Sequence, residues 1–176
     1  MRITAEQPGH AAAIEALLDE SFGPARFSKT VYRLRHGVEP VHALSLVALW
    51  GEVLEGTIRY WPVSIAGTVP ALLLGPVAVS AHRRSGGLGG VLIRHSLESA
   101  AALGHRIVLL VGDAPYYTRF GFRRDLAEPL ALPGPVDLER FLALELVTGA
   151  LDGVSGMVEP ARPEPTRTAR CCGALD

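Results

Sequence analysis

Residues 72–92 read LLLGPVAVSAHRRSGGLGGVL, and the order of their parts decides the fold. An apolar run from Val69 to Val79 ends in a short polar loop, within which Arg84-Ser85-Gly86-Gly87-Leu88-Gly89 leads into a periodic segment. There Ile93, Leu97, Ala100 and Leu103 recur every three or four residues until Gly104. That spacing predicts one apolar face of a helix of about four turns, with Gly104 placed as the residue just past its C-terminus. Strand, glycine-rich turn and helix start together put unpaired backbone N–H groups at the positive end of a helix, a site for anions and for a pyrophosphate above all. Gly86, Gly87, Gly89 and Gly90 remove Cβ atoms where a ligand must approach the backbone, and Arg84 adds fixed positive charge beside them.

Other phosphate loops need different residues. A Walker loop requires GxxxxGK[ST], and the single lysine, Lys29, lies far upstream. A dinucleotide turn requires a third small residue three positions after the second glycine, yet Gly87-x-Gly89 is followed by Leu92. A glycine-rich loop without a ligand is the plain alternative.

Upstream, residues 2–5 suggest a short strand, and 8–21 carry Ile14, Leu17, Leu18 and Phe22 at helical spacing after Pro8-Gly9. A second helix is predicted from Pro24 to His36, ended by Gly37, with Lys29, Arg33 and Arg35 opposite its apolar side. Leu44–Trp50, Val53–Ala66 and Val69–Val79, joined at Gly51-Glu52 and Gly67-Thr68, read as an antiparallel meander. Downstream, Ile107–Val111 has no polar alternation, which predicts a strand covered on both faces and central in the sheet. Residues 114–119 allow a turn or two of helix, and further strands are expected around Leu130 and from Phe141 to Val147.

The 176 residues, 48% hydrophobic and 20% charged, suffice for one domain with one substantial core. We expect it to span 1–155, with 156–176 a disordered tail, since 159–170 reads EPARPEPTRTAR without a large apolar residue. A net charge of −1 calls for neither nucleic acid nor an anionic membrane as partner. No export signal or bilayer-length apolar run is visible, which predicts a cytoplasmic protein. Adjacent Cys171 and Cys172 read as free thiols on the tail, and six histidines without an i, i+4 pair give no support for a metal. His82 and His95 read as solvated, and self-association into a homo-oligomer is compatible with everything above.

The segment 72–92 resembles the acyl-CoA signature of the GNAT superfamily of N-acetyltransferases, [QR]-x-x-G-x-[GA], met by Arg84, Gly87 and Gly89. GDAPYYTRFGF at 112–122 and LPGPVDLERFLALEL at 132–146 extend the likeness, toward its YhbS-like branch, over about residues 1–155. Ser85 departs from the glycine common at its position. The resemblance implies an α/β fold with a mixed, mostly antiparallel central sheet, a splayed and bulged fourth strand, and flanking helices. It implies acetyl-CoA as co-substrate, with Arg84, Ser85, Gly86, Gly87, Leu88, Gly89 and Gly90 at the pyrophosphate. Pro76 would sit at the bulge, and Val77, Ala78 and Val79 would pair with the pantetheine amides as an added strand would.

Tyr117, four residues before the Gly121-Phe122 pair, stands in the family's general-acid position as proton donor to the departing sulfur; its alternative role is core packing. A phenol with an ordinary pKa near 10 is protonated at neutral pH and able to give up that proton. Tyr116 points about 100° away on the same short helix. No general base stands out: Asp113 reads first as a helix cap, and a water could serve instead. The implied acceptor is the primary amine of a small molecule or peptide. The segment bearing Lys29, Arg33, Arg35 and His36 walls the acceptor groove in related folds, although such charge runs are mostly solvated surface. The competing function is a non-catalytic acyl-CoA sensor on the same fold.

Overall fold

The computed structural model describes residues 1–161 of the chain. In chain order the elements are β1 (Arg2–Ala5), α1 (Ala11–Phe22), α2 (Thr30–Arg33), β2 (Leu46–Trp50), β3 (Val53–Ile65) and β4 (Val69–Val79). They continue with α3 (Leu88–Ala102), β5 (Ile107–Val111), α4 (Ala114–Tyr117), β6 (Leu130–Ala131), β7 (Phe141–Glu145) and β8 (Gly156–Pro160). The main sheet runs β1-β2-β3-β4-β5-β7, antiparallel throughout except for the β4–β5 pair, which the α3 crossover makes parallel.

β5 lies between β4 and β7, as its unbroken apolar run requires. Val108 and Leu110 face the cluster under α3, with Leu92, Ile93, Leu97 and Ala100. Ile107 and Leu109 face the opposite cluster, with Leu73, Phe141 and Val158. The period-two geometry of a strand thus supplies two cores from one run of residues. α1 covers the outer part of the sheet by burying Ile14, Leu17 and Leu18 against Val47, Leu49 and Ala78.

Two expectations change. The second helix is a 3-10 turn, Pro24–Ser28, and the four-residue α2, separated by Lys29 in extended conformation (ψ 144°). Arg26 is drawn onto α1 by ion pairs with Glu15 and Asp19, whereas Thr30 is drawn the other way by a 2.5 Å hydrogen bond to the Pro135 carbonyl. The chain between these anchors straightens.

The second concerns the boundary at residue 155. Gly156–Pro160, expected in the tail, forms β8, which pairs antiparallel with the far end of β3 and parallel with β6. Its buried Val158 completes one core, a tertiary contact that overrides weak local pattern. The remainder of the expected tail, with Cys171 and Cys172, lies outside the described residues. Among the described residues no helix is long and apolar enough to cross a membrane.

Candidate functional site

β4 is the strand that makes the site. It pairs with β3 along its length, but two residues, Gly75 and Pro76, oppose the single Arg59 where the register shifts, which is a β-bulge. Its other edge meets β5 only at Leu72–Val108 and Leu73–Leu109, and beyond Leu73 the two strands diverge. The Trp61 indole N–H donates to the Gly75 carbonyl at 2.8 Å and holds the bulge. Ser80 N–H donates to the Glu55 carbonyl on the β3 side, and Arg84 Nε donates to the Val79 carbonyl from the open side. Antiparallel alternation therefore turns the peptide groups of Val77 and Val79 to the open edge and that of Ala78 toward β3.

A 3-10 turn, Ala81–Gly86, carries the chain from β4 to Gly87, whose φ of +75° favours glycine. The first helical bond of α3 runs from Val91 N–H to the Gly87 carbonyl at 3.1 Å, so the amides of Leu88, Gly89 and Gly90 precede the ladder and lack an intrahelical acceptor. The turn is braced from below by Glu55, only 6% exposed. Its carboxylate accepts from the Ser80 hydroxyl and lies 3.0 Å from His82 Nε2, with Arg83 Nε at 3.9 Å. The Ser80 hydrogen bond leads in holding the Glu55 pKa below its ordinary value, and the His82 contact adds to it. His82 is exposed, as expected, and its ring also touches Glu55 from the solvent side.

Between the open edge, the turn and α4 lies a cleft of about 560 Å³. Of the residues singled out in sequence, Val77, Ala78, Val79, Arg84, Ser85, Gly87, Gly89, Gly90 and Tyr117 line it. Gly86 and Leu88 do not: Leu88 is turned into the core beneath, and Gly86 closes the 3-10 turn. Arg94, Tyr116 and Arg119 line it as well. Arg94 was legible, since it lies four residues after Gly90 on one helix face. Arg119 was not, because its guanidinium is positioned by the Tyr116 ring, 4.4 Å away, and by the Tyr116 carbonyl.

A second cavity, of about 330 Å³, adjoins the first and shares Phe22, Val77, Tyr116 and Tyr117 with it. Tyr117 therefore stands in the common wall. Its ring rests on Gly112, where an added Cβ would come within 2.3 Å of Cε2, so residue 112 has no room for a side chain. Nothing in the sequence marked Gly112 for this role. Burial foremost, then neighbouring Tyr116, pushes the Tyr117 pKa up to about 12, with the Arg140 charge pulling the other way. The group is a protonated phenol facing both cavities. Asp113 does cap α4, accepting from Tyr116 N–H at 3.2 Å. Among the described residues no group of three or more His, Cys, Asp or Glu could hold a metal ion.

A splayed strand facing a glycine-capped helix start, with a tyrosine between two cavities, is the arrangement expected of a CoA-using acyltransferase. Residues 11–122 match the acetyltransferase (GNAT) family, and the chain belongs to that family. It is 33% identical to the uncharacterized N-acetyltransferase YhbS of Escherichia coli K12 over 162 residues, 90% of this chain and 95% of the relative. The crystal structure of E. coli YhbS in complex with CoA aligns with a TM-score of 0.78 at 32% identity, covering 90% of this chain and 88% of the other. A GNAT family acetyltransferase from Brucella melitensis in complex with acetyl-CoA aligns with a TM-score of 0.60 at 33% identity, covering 82% and 86%.

Proposed function

We propose that the chain transfers the acetyl group of acetyl-CoA to a primary amine by direct attack within a ternary complex. The observation that carries this reading is Tyr117, a half-buried, protonated phenol in the wall shared by two cavities. CoA and acetyl-CoA in the YhbS and Brucella structures support assigning the larger cleft to the donor. So do the acceptor-free amides of Leu88, Gly89 and Gly90 and three arginines, Arg84, Arg94 and Arg119, suited to phosphate oxygens. The peptide groups of Val77 and Val79 offer the open edge to pantetheine amides, as for an added strand.

The neutral amine, entering from the smaller cavity, attacks the thioester carbonyl, and backbone N–H groups at the splayed edge stabilise the developing oxyanion. As the C–N bond forms and the C–S bond breaks, Tyr117 donates its proton to the thiolate. Among the described residues the only carboxylate lining the acceptor cavity, Asp113, is engaged as a cap, so the amine proton leaves to water. Tyr117→Phe tests this: turnover should fall steeply while acetyl-CoA affinity, read by calorimetry, stays within about twofold of the wild type. Undiminished turnover would overturn the role. Acetyl-CoA binding without CoA release across a broad amine panel would favour a sensor instead.

A further inference from the structure

The smaller cavity has an electrostatic character that the transfer reaction does not require. Among the described residues, Arg26, Lys29, Arg35 and Arg140 line it, against the single carboxylate of Asp113. The four cations are not alike. Arg26, 2% exposed, is neutralised by Glu15 and Asp19, neither of which lines the cavity. Nearby Arg59 is likewise held by Glu6, at 2.6 Å. Arg35, Lys29 and Arg140 have no carboxylate within ion-pair distance among the described residues.

Arg35 departs furthest from an ordinary surface arginine. Its guanidinium lies 4.5 Å from the centre of the Tyr32 ring and 5.7 Å from that of Trp61. Its Nη2 closes on the bulge so tightly that a Cβ at Gly75 would stand 3.3 Å from it. Its Nε is buried without a hydrogen-bond partner. Burial draws its pKa down to about 10, still cationic at neutral pH. A half-buried cation pinned by aromatic faces and lacking a counterion is costly on its own, and an anion reaching it recovers that cost. Its planar fork suits a carboxylate or a phosphate group.

We propose that the acceptor of this enzyme is a small amine bearing an anionic group, carboxylate or phosphate, which Arg35 holds with help from Lys29 and Arg140. The inference rests on the transferase reading above and deepens it. A cavity of about 330 Å³ suits a molecule of amino-acid to dipeptide size. Polycationic amines meet a wall of like charge there and are disfavoured.

The test uses matched pairs differing only in the anion: tyrosine against tyramine, lysine against cadaverine, and phosphoethanolamine against ethanolamine. CoA release from acetyl-CoA gives kcat/KM, and calorimetry with the CoA-loaded protein gives binding independently of turnover. In at least one pair the anionic member should be preferred by about tenfold or more, the size of one charged hydrogen bond. Which pair shows it separates carboxylate from phosphate. Arg35→Gln should shrink that preference to about twofold, and Lys29→Gln, an exposed change that keeps the fold, should shrink it partway.

Equal or better binding and turnover of the amines lacking the anion would overturn the inference while leaving the transferase reading intact. Should no amine release CoA, that reading fails by itself. Calorimetric preference for the anionic members, lost in Arg35→Gln, then still upholds the charge selectivity, and its absence refutes it.

Discussion

The two cavities that meet at Tyr117 are built in opposite ways. The larger cleft draws most of its lining from one continuous stretch, Val77 to Arg94, where strand end, turn and helix start follow one another. The smaller one is assembled from Phe22 to Arg35, Leu74 to Val77, Leu110 to Tyr117, and Arg140, segments far apart in the chain. On the proposed reading, recognition of the donor is written into local backbone geometry. Recognition of the proposed acceptor depends on side chains brought together by the whole fold, so sequence reading reaches the first and stops short of the second.

Experiments can break this division, and the largest effect should come where the cavities join. Tyr117→Phe removes only the phenolic hydroxyl, and on the proposed reading kcat should fall by about 10²–10⁴-fold, the usual worth of a positioned general acid, with little change in either KM. Equal loss of affinity for both substrates would mean that the ring merely packs the wall. Next is Gly112→Ala, whose Cβ would collide with the Tyr117 ring. Displacing the phenol by about an ångström should lower kcat by about 10²-fold, with the far-ultraviolet circular dichroism spectrum unchanged; a wild-type kcat would show that the ring is not fixed by that contact.

Arg84→Ala should act on one side only, raising KM for acetyl-CoA by about tenfold and leaving acceptor KM alone. A matching rise in acceptor KM would show that the two spaces are not separable. The pH profile is subtler. Since Tyr117 keeps its proton until about pH 12, acceptor kcat/KM should climb with pH as the amine deprotonates, with no descending limb from this tyrosine until pH nears that value. Its raised pKa also fixes a sign for stability. Between the ordinary value of 10.0 and about 12 the unfolded chain releases this proton first, so stability falls as pH rises through that window. Denaturant titrations across it should show the midpoint decreasing. The smallest functional effect is expected from Ser96→Ala on the buried face of α3, which deprives the buried Tyr60 hydroxyl of its 2.8 Å partner. Stability should drop by about 1–3 kcal/mol, read by urea denaturation, while both KM values hold.

How far the sequence could be read follows the same physical line. Apolar runs long enough to set their own period, Ile107–Val111 and the stripe from Ile93 to Ala100, announce β5 and α3 because burial on both faces or on one stripe dictates residue type. Arg84, Gly87 and Gly89 announce the turn because backbone approach demands them locally. β8 has no such signal: Gly156–Pro160 is a strand because β3 and β6 offer it edges and Val158 fills a gap in a core made by others. The break at Lys29 arises because Arg26 and Thr30 are anchored to partners remote in sequence. Gly112 was silent because its constraint comes from a side chain five residues later. The unpaired state of Arg35, too, emerges only once the carboxylates in reach of the other buried arginines are located.

The notch at Gly112 has a consequence for how this enzyme can vary through descent. Because the ring of residue 117 fills the space a side chain at residue 112 would need, with Leu110 close beside it, the two sites are not free to drift separately. While the tyrosine stands, any side chain at 112 is penalised. Once it is replaced by something small, the tightest of those contacts is gone and only the Leu110 methyl, at 3.2 Å, has to give. Lineages that abandon the phenol should therefore accumulate larger residues at 112 afterwards, and reinstating the tyrosine alone in such a chain would not restore catalysis.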